Sequence, residues 1–361
     1  MERVILDYFT SIFCTNGPTD TTVVVEAIQP VVTDPMNEYL CQPFQADEIH
    51  QALKQMHPKK SPGPDGMPPL FYQHFWSLSG ECVTNAVLAF LNSGVIPQKF
   101  NETHIVLIPK VKNPTKVTQY RPISLSNVIS RLASKVLANR LRSLLPDIIS
   151  ENQSAFMSSH LITDNVLVAF ETMHYLNNKR RGQRGEMALK LDMNKAFDRV
   201  ELGCLKDIML RMGFSAKWVN IVMLCVTSVT YSIRINGKPR GHITPTRGLR
   251  QGDPISPFLF LFCAKGLSAL LCQARSRGEL HGVAACPHDP HISHLFFADD
   301  SISFCQATND DCNRLEQILE TYEHAFGQQL NREKTSLFFS HNTPQETRES
   351  IQHRFGAKVI R

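Results

Sequence analysis

The segment HLFFADDSISF, residues 294–304, sets two apolar arms around the adjacent acids Asp299 and Asp300. Phe296, Phe297, Ile302 and Phe304 are too apolar for a solvated loop, and DSISF alternates with the period of two that marks a strand. The segment therefore reads as a hairpin whose arms belong to a buried sheet and whose tip carries two carboxylates. Carboxylates held side by side repel each other, and a divalent cation is the simplest thing that makes the arrangement favourable. An ordinary solvated acidic turn is the alternative that the doublet alone leaves open.

A third acid lies upstream. MALKLDM, residues 187–193, is an apolar strand that runs into Asp192, and strand neighbours would bring it beside Asp299. Three carboxylates without an adjacent His or Cys favour hard magnesium over zinc. Two such ions about 3.5–4 Å apart stabilise both the attacking and the leaving oxygen of an in-line phosphoryl displacement.

Around these strands the pattern alternates irregularly between helix and strand. QADEIHQALKQM is helical, with Ala46, Ile49, Leu53 and Met56 on one stripe. HPKKSPGPDGMPP packs five prolines and two glycines into 13 positions, which no regular element survives. THIVLIPKV reads as a strand. Val128, Leu132, Val136, Leu141 and Leu145 form the stripe of a helix that Ser126 caps, with Arg131, Lys135 and Arg142 as its basic face. Further helices are expected over 164–178, 201–227, 254–278 and 309–326, a hairpin around Asn236-Gly237, and a strand in EKTSLFFS. The βαβ rhythm and glycine fingerprint of a dinucleotide fold are missing, so the fold class is α+β, an antiparallel sheet with helices on one side.

Of the 361 residues 42% are hydrophobic, enough for a sizeable core, which excludes a wholly disordered chain. The net charge is +5, unevenly placed: residues 1–50 hold one base against eight acids, and residues 51–150 hold twelve bases against four. A basic body suits a polyanion partner, with ordinary solvated lysines and arginines as the alternative. The ten cysteines form no C-x-x-C pair and sit mostly in apolar runs, as reduced thiols do. No apolar stretch nears the ~18 residues of a membrane span, the densest run being Phe258 to Ala264, and Glu2 and Asp7 interrupt the start where a signal peptide is apolar. The expectation is a soluble, intracellular chain with no membrane partner. His281, Cys286, His288, His291 and His294 match no tight zinc spacing, and Pro287 and Pro290 break the run.

Seven motifs then occur in order: KKSPGPDG, QYRPISL, QSAF, LDMNKAFDRV, RGLRQGDPISP, FADD and GQQLNREKT. Together they resemble the reverse transcriptase domain of a non-LTR (LINE-type) retrotransposon, closest to those of plants, over residues 45–340 or so. The resemblance implies the fingers and palm of a right-hand polymerase, with an antiparallel palm sheet backed by helices and no thumb. Residues 1–45 would be an acidic extension or linker, 46–185 the fingers with the start of the palm, 186–345 the palm, and 346–361 a truncated lead-in to the primer grip. It implies an RNA-directed DNA polymerase whose partners are an RNA template, a DNA primer and dNTPs. A nuclear location follows from the same reading, with endonuclease and thumb regions elsewhere in a longer polyprotein.

Residue by residue, the resemblance assigns Asp192, Asp299 and Asp300 to two Mg²⁺ ions, with Mn²⁺ as a substitute and the Met193 carbonyl assisting. Phe197 matches the steric gate against a ribose 2′-OH. Lys110 and Arg121 match the grip on the triphosphate, Gln251 and Gly252 the lining of the incoming base pair, and Lys334 the proton donor to departing pyrophosphate. Departures from the family pattern at Ser159, His160, Leu202 and Lys265 point to a second reading, an inactive remnant that at most binds nucleic acid. A third, an RNA-dependent RNA polymerase, is opposed by Phe197.

Overall fold

A computed structural model describes residues 2–15, 17, 20–157, 162–286 and 290–360; Ser159, His160, Pro287 and His288 lie outside the described residues. The strands in chain order are β1 (Glu102–Pro109), β2 (Tyr120–Ser126), β3 (Glu186–Leu191), β4 (Thr230–Ile235), β5 (Lys238–Ile243), β6 (His294–Phe297), β7 (Asp300–Gln306), β8 (Ser336–Phe339) and β9 (Lys358–Val359). They form a four-stranded sheet, β2-β1-β4-β5, and a five-stranded sheet, β6-β7-β3-β8-β9. The chain divides into two compact units, one of Met1–Pro18, Val32–Leu144 and Phe197–Leu259, the other of Thr19–Val31, Leu145–Ala196 and Phe260–Arg361.

In the first unit, β1 pairs antiparallel with β2 and parallel with β4. β4 and β5 close as the expected hairpin, with Asn236 and Gly237 both at positive φ, as a two-residue primed turn requires. The helix Glu2–Phe13 lays Phe9, Ile12 and Phe13 on Ile105, Tyr231, Ile233 and Ile243. A second core joins the helices Ala46–Lys54, Trp76–Ser93 and Val128–Arg142. There Arg140 is buried, forked onto Glu48 at 2.7 and 2.8 Å, with its guanidinium 3.7 Å from the Phe44 ring centroid.

Two expectations for the helix Val128–Arg142 need correction. Its N-cap is Asn127, not Ser126, and Asn127 makes no side-chain cap bond; its amide instead seats the proline-rich loop, accepting from the Asp65 N–H at 3.2 Å and donating to the Lys99 carbonyl at 3.1 Å. Arg131 is not on an exposed basic face: it is buried and donates to the Ser61 carbonyl at 3.1 Å. The helix packs on both the stripe and the loop, so a residue outside the stripe is still covered. Lys135 is half-buried and Arg142 exposed.

In the second unit, β6, β7, β3 and β8 are antiparallel neighbours and β9 adds to β8 in parallel. Met187, Leu189 and Leu191 of β3 are buried on one face, where Leu191 meets Glu316 and Leu319 of the helix Asn309–Phe326. Ala188 lies on the other face, which Leu176, Met173 and Ala169 of the helix Ile162–Asn178 cover. Helices therefore lie on both faces rather than one, and each sheet contains one parallel pair. The antiparallel expectation came from hairpin signals, which report local pairs and not crossovers.

The helix Ser256–Ser276 corrects the membrane-length reading. It is long and apolar enough to span a bilayer, yet most of it is buried inside the protein. Lys265, Gly266 and Ser268 interrupt the apolar run without lowering its mean much, so counting unbroken runs missed it. Leu259, Phe262, Cys263 and Leu271 are fully buried, as in a core helix. Among the described residues no disulfide forms.

The loop glycine Gly63 sits so close to the Ser126–Asn127 backbone that an added Cβ would collide with it. Gly63→Ala is expected to destabilise the chain by roughly 1–3 kcal/mol, as overpacking does. A urea denaturation midpoint unchanged by the substitution would show the loop to be seated elsewhere.

Candidate active site

The acids are placed by strand register. β3 faces β7 from Glu186↔Gln306 to Leu191↔Ser301. One rung further, Asp192 is level with Asp300, and facing residues of an antiparallel pair point to the same side. β6 and β7 close as Phe297↔Asp300 around Ala298 and Asp299, so the doublet occupies the tip of a tight hairpin. Asp299 and Asp300 are exposed and Asp192 is half-buried. Ala298 has φ +55°, a left-handed conformation that costs an L-residue roughly 1–2 kcal/mol.

The other side of Asp192 is tied to the segment 329–334. Its carbonyl accepts from the Asn331 N–H at 2.8 Å, and Asn194 N–H donates to the Gln329 carbonyl at 2.7 Å. These bonds flank the Met193–Leu330 bridge, so the ladder does not engage the Met193 carbonyl. The Asp192 carboxylate accepts from the Asn331 amide at 3.2 Å and pairs with Lys334 Nζ at 3.1 Å. Lys334 is 69% exposed, so this cation has room to swing away.

Beneath the hairpin, His294 is fully buried. The amide nitrogen of Asn152, a donor, lies 3.1 Å from Nε2, and the Ser268 hydroxyl lies 2.9 Å from the same atom; with Nε2 accepting, Nδ1 carries the proton toward Ser293 Oγ at 3.0 Å. Burial, with Arg275 adding to it, lowers the imidazole to about 3. The other described members of the histidine-rich stretch are engaged separately: His281 bonds Asp311 at 2.9 Å and His291 lies 3.1 Å from the Gly282 carbonyl. Among the described residues no group of three or more His, Cys, Asp or Glu side chains, Asp192 with the acidic doublet included, stands close enough to hold a metal ion as it is.

The remaining expected site residues lie in the first unit. Lys110 and Arg121 share one face at the end of the β1–β2 ladder as diagonal neighbours, and both are exposed. Phe197 opens the short helical turn Phe197–Arg199 and is half-buried. The segment 247–253 is stitched to that turn: Gly248 N–H donates to Val200 at 2.7 Å and Leu249 N–H to Phe197 at 2.8 Å. Gly248 has φ +94°, and a Cβ there would lie 2.7 Å from the Asp198 carbonyl oxygen. The Gln251 amide donates to the buried Asp198 carboxylate at 2.8 Å, while its backbone carbonyl accepts from Ser124 of β2 at 3.3 Å. Lys60 Nζ donates to the exposed Gly252 carbonyl at 3.2 Å. Burial and then Arg131 lower the pKa of Lys60, and burial followed by Arg142 and Lys60 lowers that of Lys135. These are cations crowded against cations.

Residues 108–353 match the family model for reverse transcriptase (RNA-dependent DNA polymerase). The chain belongs to the reverse transcriptase family. It is similar to the transposon TX1 uncharacterized 149 kDa protein of Xenopus laevis, 29% identical over 85% of this chain and 23% of that protein. It is also similar to the Pol polyprotein of the type-1 retrotransposable element R2 of Popillia japonica, 28% identical over 72% of this chain and 34% of that protein. A third relative is the probable RNA-directed DNA polymerase from transposon BS of Drosophila melanogaster, 26% identical over 60% of this chain and 24% of that protein. The chain thus spans between about a quarter and a third of these relatives. It is a reverse transcriptase domain of the LINE type.

Within this reverse transcriptase domain, sequence reading passed over Asp198, which orients Gln251, and Asn331, which bonds the Asp192 carboxylate. Both lie inside quoted motifs, LDMNKAFDRV and GQQLNREKT, and the motif wording was the only signal for them. Lys265, a departure from the family pattern, is accommodated: it donates to the Ile148 carbonyl at 2.9 Å, and burial lowers its pKa.

His294 stays neutral in the fold and charges in the unfolded chain below its ordinary 6.5, so the unfolded state binds the extra proton. Its stabilising contribution is full above that pH and is lost as pH falls toward 3, with a slope of up to ~1.4 kcal/mol per pH unit. Urea denaturation across this range should show a shallower pH dependence for His294→Gln than for the unsubstituted chain.

Proposed function

We propose that this chain is the polymerising domain of an RNA-directed DNA polymerase, which adds dNTPs to a primer 3′-OH on an RNA template. The observation that carries this reading is the register of β3 against β7, which sets Asp192 level with the acidic hairpin in a chain of the reverse transcriptase family.

The donor chemistry suits the ions the family reading calls for. Asp192, half-buried, and Asp299 and Asp300, exposed, offer only carboxylate oxygens, and hard oxygen donors select Mg²⁺ or Mn²⁺ over Zn²⁺. Asp192 already holds one cation, the Lys334 ammonium. The Met193 carbonyl, left out of its ladder, is a further oxygen of the same kind. Bound there, two divalent ions would make the 3′-OH a better nucleophile and stabilise charge on the leaving pyrophosphate.

The protein's own groups do the rest. Lys334 moves from Asp192 to the departing pyrophosphate and protonates it. Lys110 and Arg121 present two cations on one face to a triphosphate, where Arg forks onto phosphate oxygens. Asp198 fixes the Gln251 amide, and Gln251 with Gly252 lines the pairing base. Phe197 blocks a 2′-OH. The crowded cations Lys60, Lys135 and Arg142 gain from a phosphodiester backbone laid beside them. The unit carrying β3 and β6–β9 is assigned as palm and the unit carrying β1, β2, β4 and β5 as fingers.

On poly(rA)/oligo(dT) with Mg²⁺, the chain is expected to extend the primer, and Asp299→Ala to lose on the order of 10³-fold in rate. Extension that survives this substitution removes the site; none by the unsubstituted chain supports the inactive remnant. Phe197→Ala is expected to admit ribonucleotides roughly tenfold to hundredfold better. Unchanged sugar selectivity takes Phe197 out of the mechanism.

A further inference from the structure

We propose that Gln153 is a positioning residue for the acidic turn: its side-chain carbonyl holds Ala298 in the conformation that presents Asp299. The inference rests on the metal-site reading above and extends it to a residue that the motif QSAF contains without a role.

Gln153 is 2% exposed, in an irregular segment 145 positions before the turn. Its Oε1 accepts from two backbone N–H groups, Ala155 at 3.0 Å and Ala298 at 3.1 Å. Both partners can only donate, which settles the orientation of the amide. Ala298 immediately precedes the doublet and has φ +55°. A non-glycine residue keeps such a conformation where its surroundings over-determine it, and the Gln153 carbonyl is a buried partner on that peptide.

The segment carrying Gln153 is itself pinned to the outer arm of the hairpin. Gln153 bridges Phe296 in parallel, Phe296 N–H donates to Asn152 at 2.7 Å, and Ser154 N–H donates to Phe296 at 3.3 Å. The Asn165 amide donates to the carbonyls of both Asn152 and Phe296, at 3.3 and 3.0 Å. Two residues beyond that clamp, the Gln153 carbonyl meets the turn. Among the described residues the buried Gln153 Nε2 has no partner. A leucine would fill the space without that unpaired donor, so the residue's contribution lies in what its carbonyl holds.

Two measurements on the full chain test this: hydrogen exchange at the Ala298 amide, and Mn²⁺ binding followed by the electron-spin resonance of the free ion. Gln153→Leu removes the acceptor, and Gln153→Glu keeps it. Exchange at Ala298 should rise about tenfold or more in Q153L, as for one lost hydrogen bond, and stay near the original in Q153E. Mn²⁺ affinity should fall at least about tenfold in Q153L, the usual cost of losing the support behind a ligand. Adding Ala298→Gly to Q153L should restore part of it, because glycine adopts positive φ freely.

Exchange and Mn²⁺ binding unchanged in Q153L overturn the proposal, as does an equal loss in Q153L and Q153E, which marks simple packing. If Q153L does not fold, Gln153→Asn, one methylene shorter, withdraws the carbonyl and should show the same rise in exchange. An unsubstituted chain that binds no Mn²⁺ overturns the metal-site reading instead, and exchange at Ala298 then decides the brace alone.

Discussion

The pairing of β3 with β7 is the constraint on which the rest depends. Its register runs without a slip from Glu186↔Gln306 to Leu191↔Ser301. A strand's side chains alternate, so the register that buries Met187, Leu189 and Leu191 also sends Lys190 and Asp192 to the opposite face. A slip of one residue would turn the aspartate into the face that packs on the helix Asn309–Phe326 and move three large apolar side chains to the face where Ala188 and Lys190 now sit. Core packing and the position of the first acid are therefore one choice. The energy that enforces it is the burial of the leucines, of order 2 kcal/mol each, far more than any surface contact of the carboxylate.

The other unit reaches precision by a different route. The segment 247–253 has no regular structure of its own, and buried charge sets its path. Arg247 pairs with Glu201 at 3.3 Å and donates to the Ile12 carbonyl at 2.7 Å; Arg250 pairs with Asp253 at 2.6 Å and donates to Asn101 at 3.0 Å. Such pairs add little net stability, but leaving one partner unpaired costs several kcal/mol, so they specify where the loop lies. Gly248 permits the close approach to Asp198, and Asp198 then aims Gln251. The glutamine's direction is set by a neighbouring carboxylate, which its own sequence position does not reveal.

The elements with strong local signals were legible. The Asn236-Gly237 hairpin, the strand before Asp192 and the helix Asn309–Phe326 sit where their periods and turn residues put them. Signals that depend on packing were not. Ser126 looked like a helix cap because capping is read from residue type, and Asn127 took that position while spending its amide on the loop. Arg131 looked exposed because it lies off the apolar stripe, and the proline-rich loop covers it. Neither the parallel pairs nor the second helical layer leaves a local trace, since both depend on crossovers.

Sequence alone determined the family, through seven motifs in order, and the identity of the acids, because chemistry is carried by residue type. It also set the alternation that makes β3 and β7 strands. Tertiary structure decided that Asp192 and Asp300 stand on one level, that Lys334 and Asn331 meet Asp192 from its far side, and that Gln153 reaches Ala298. Those contacts join positions more than a hundred residues apart. A chain closes such distances only when the apolar faces between them pack, and local propensity contains no term for that.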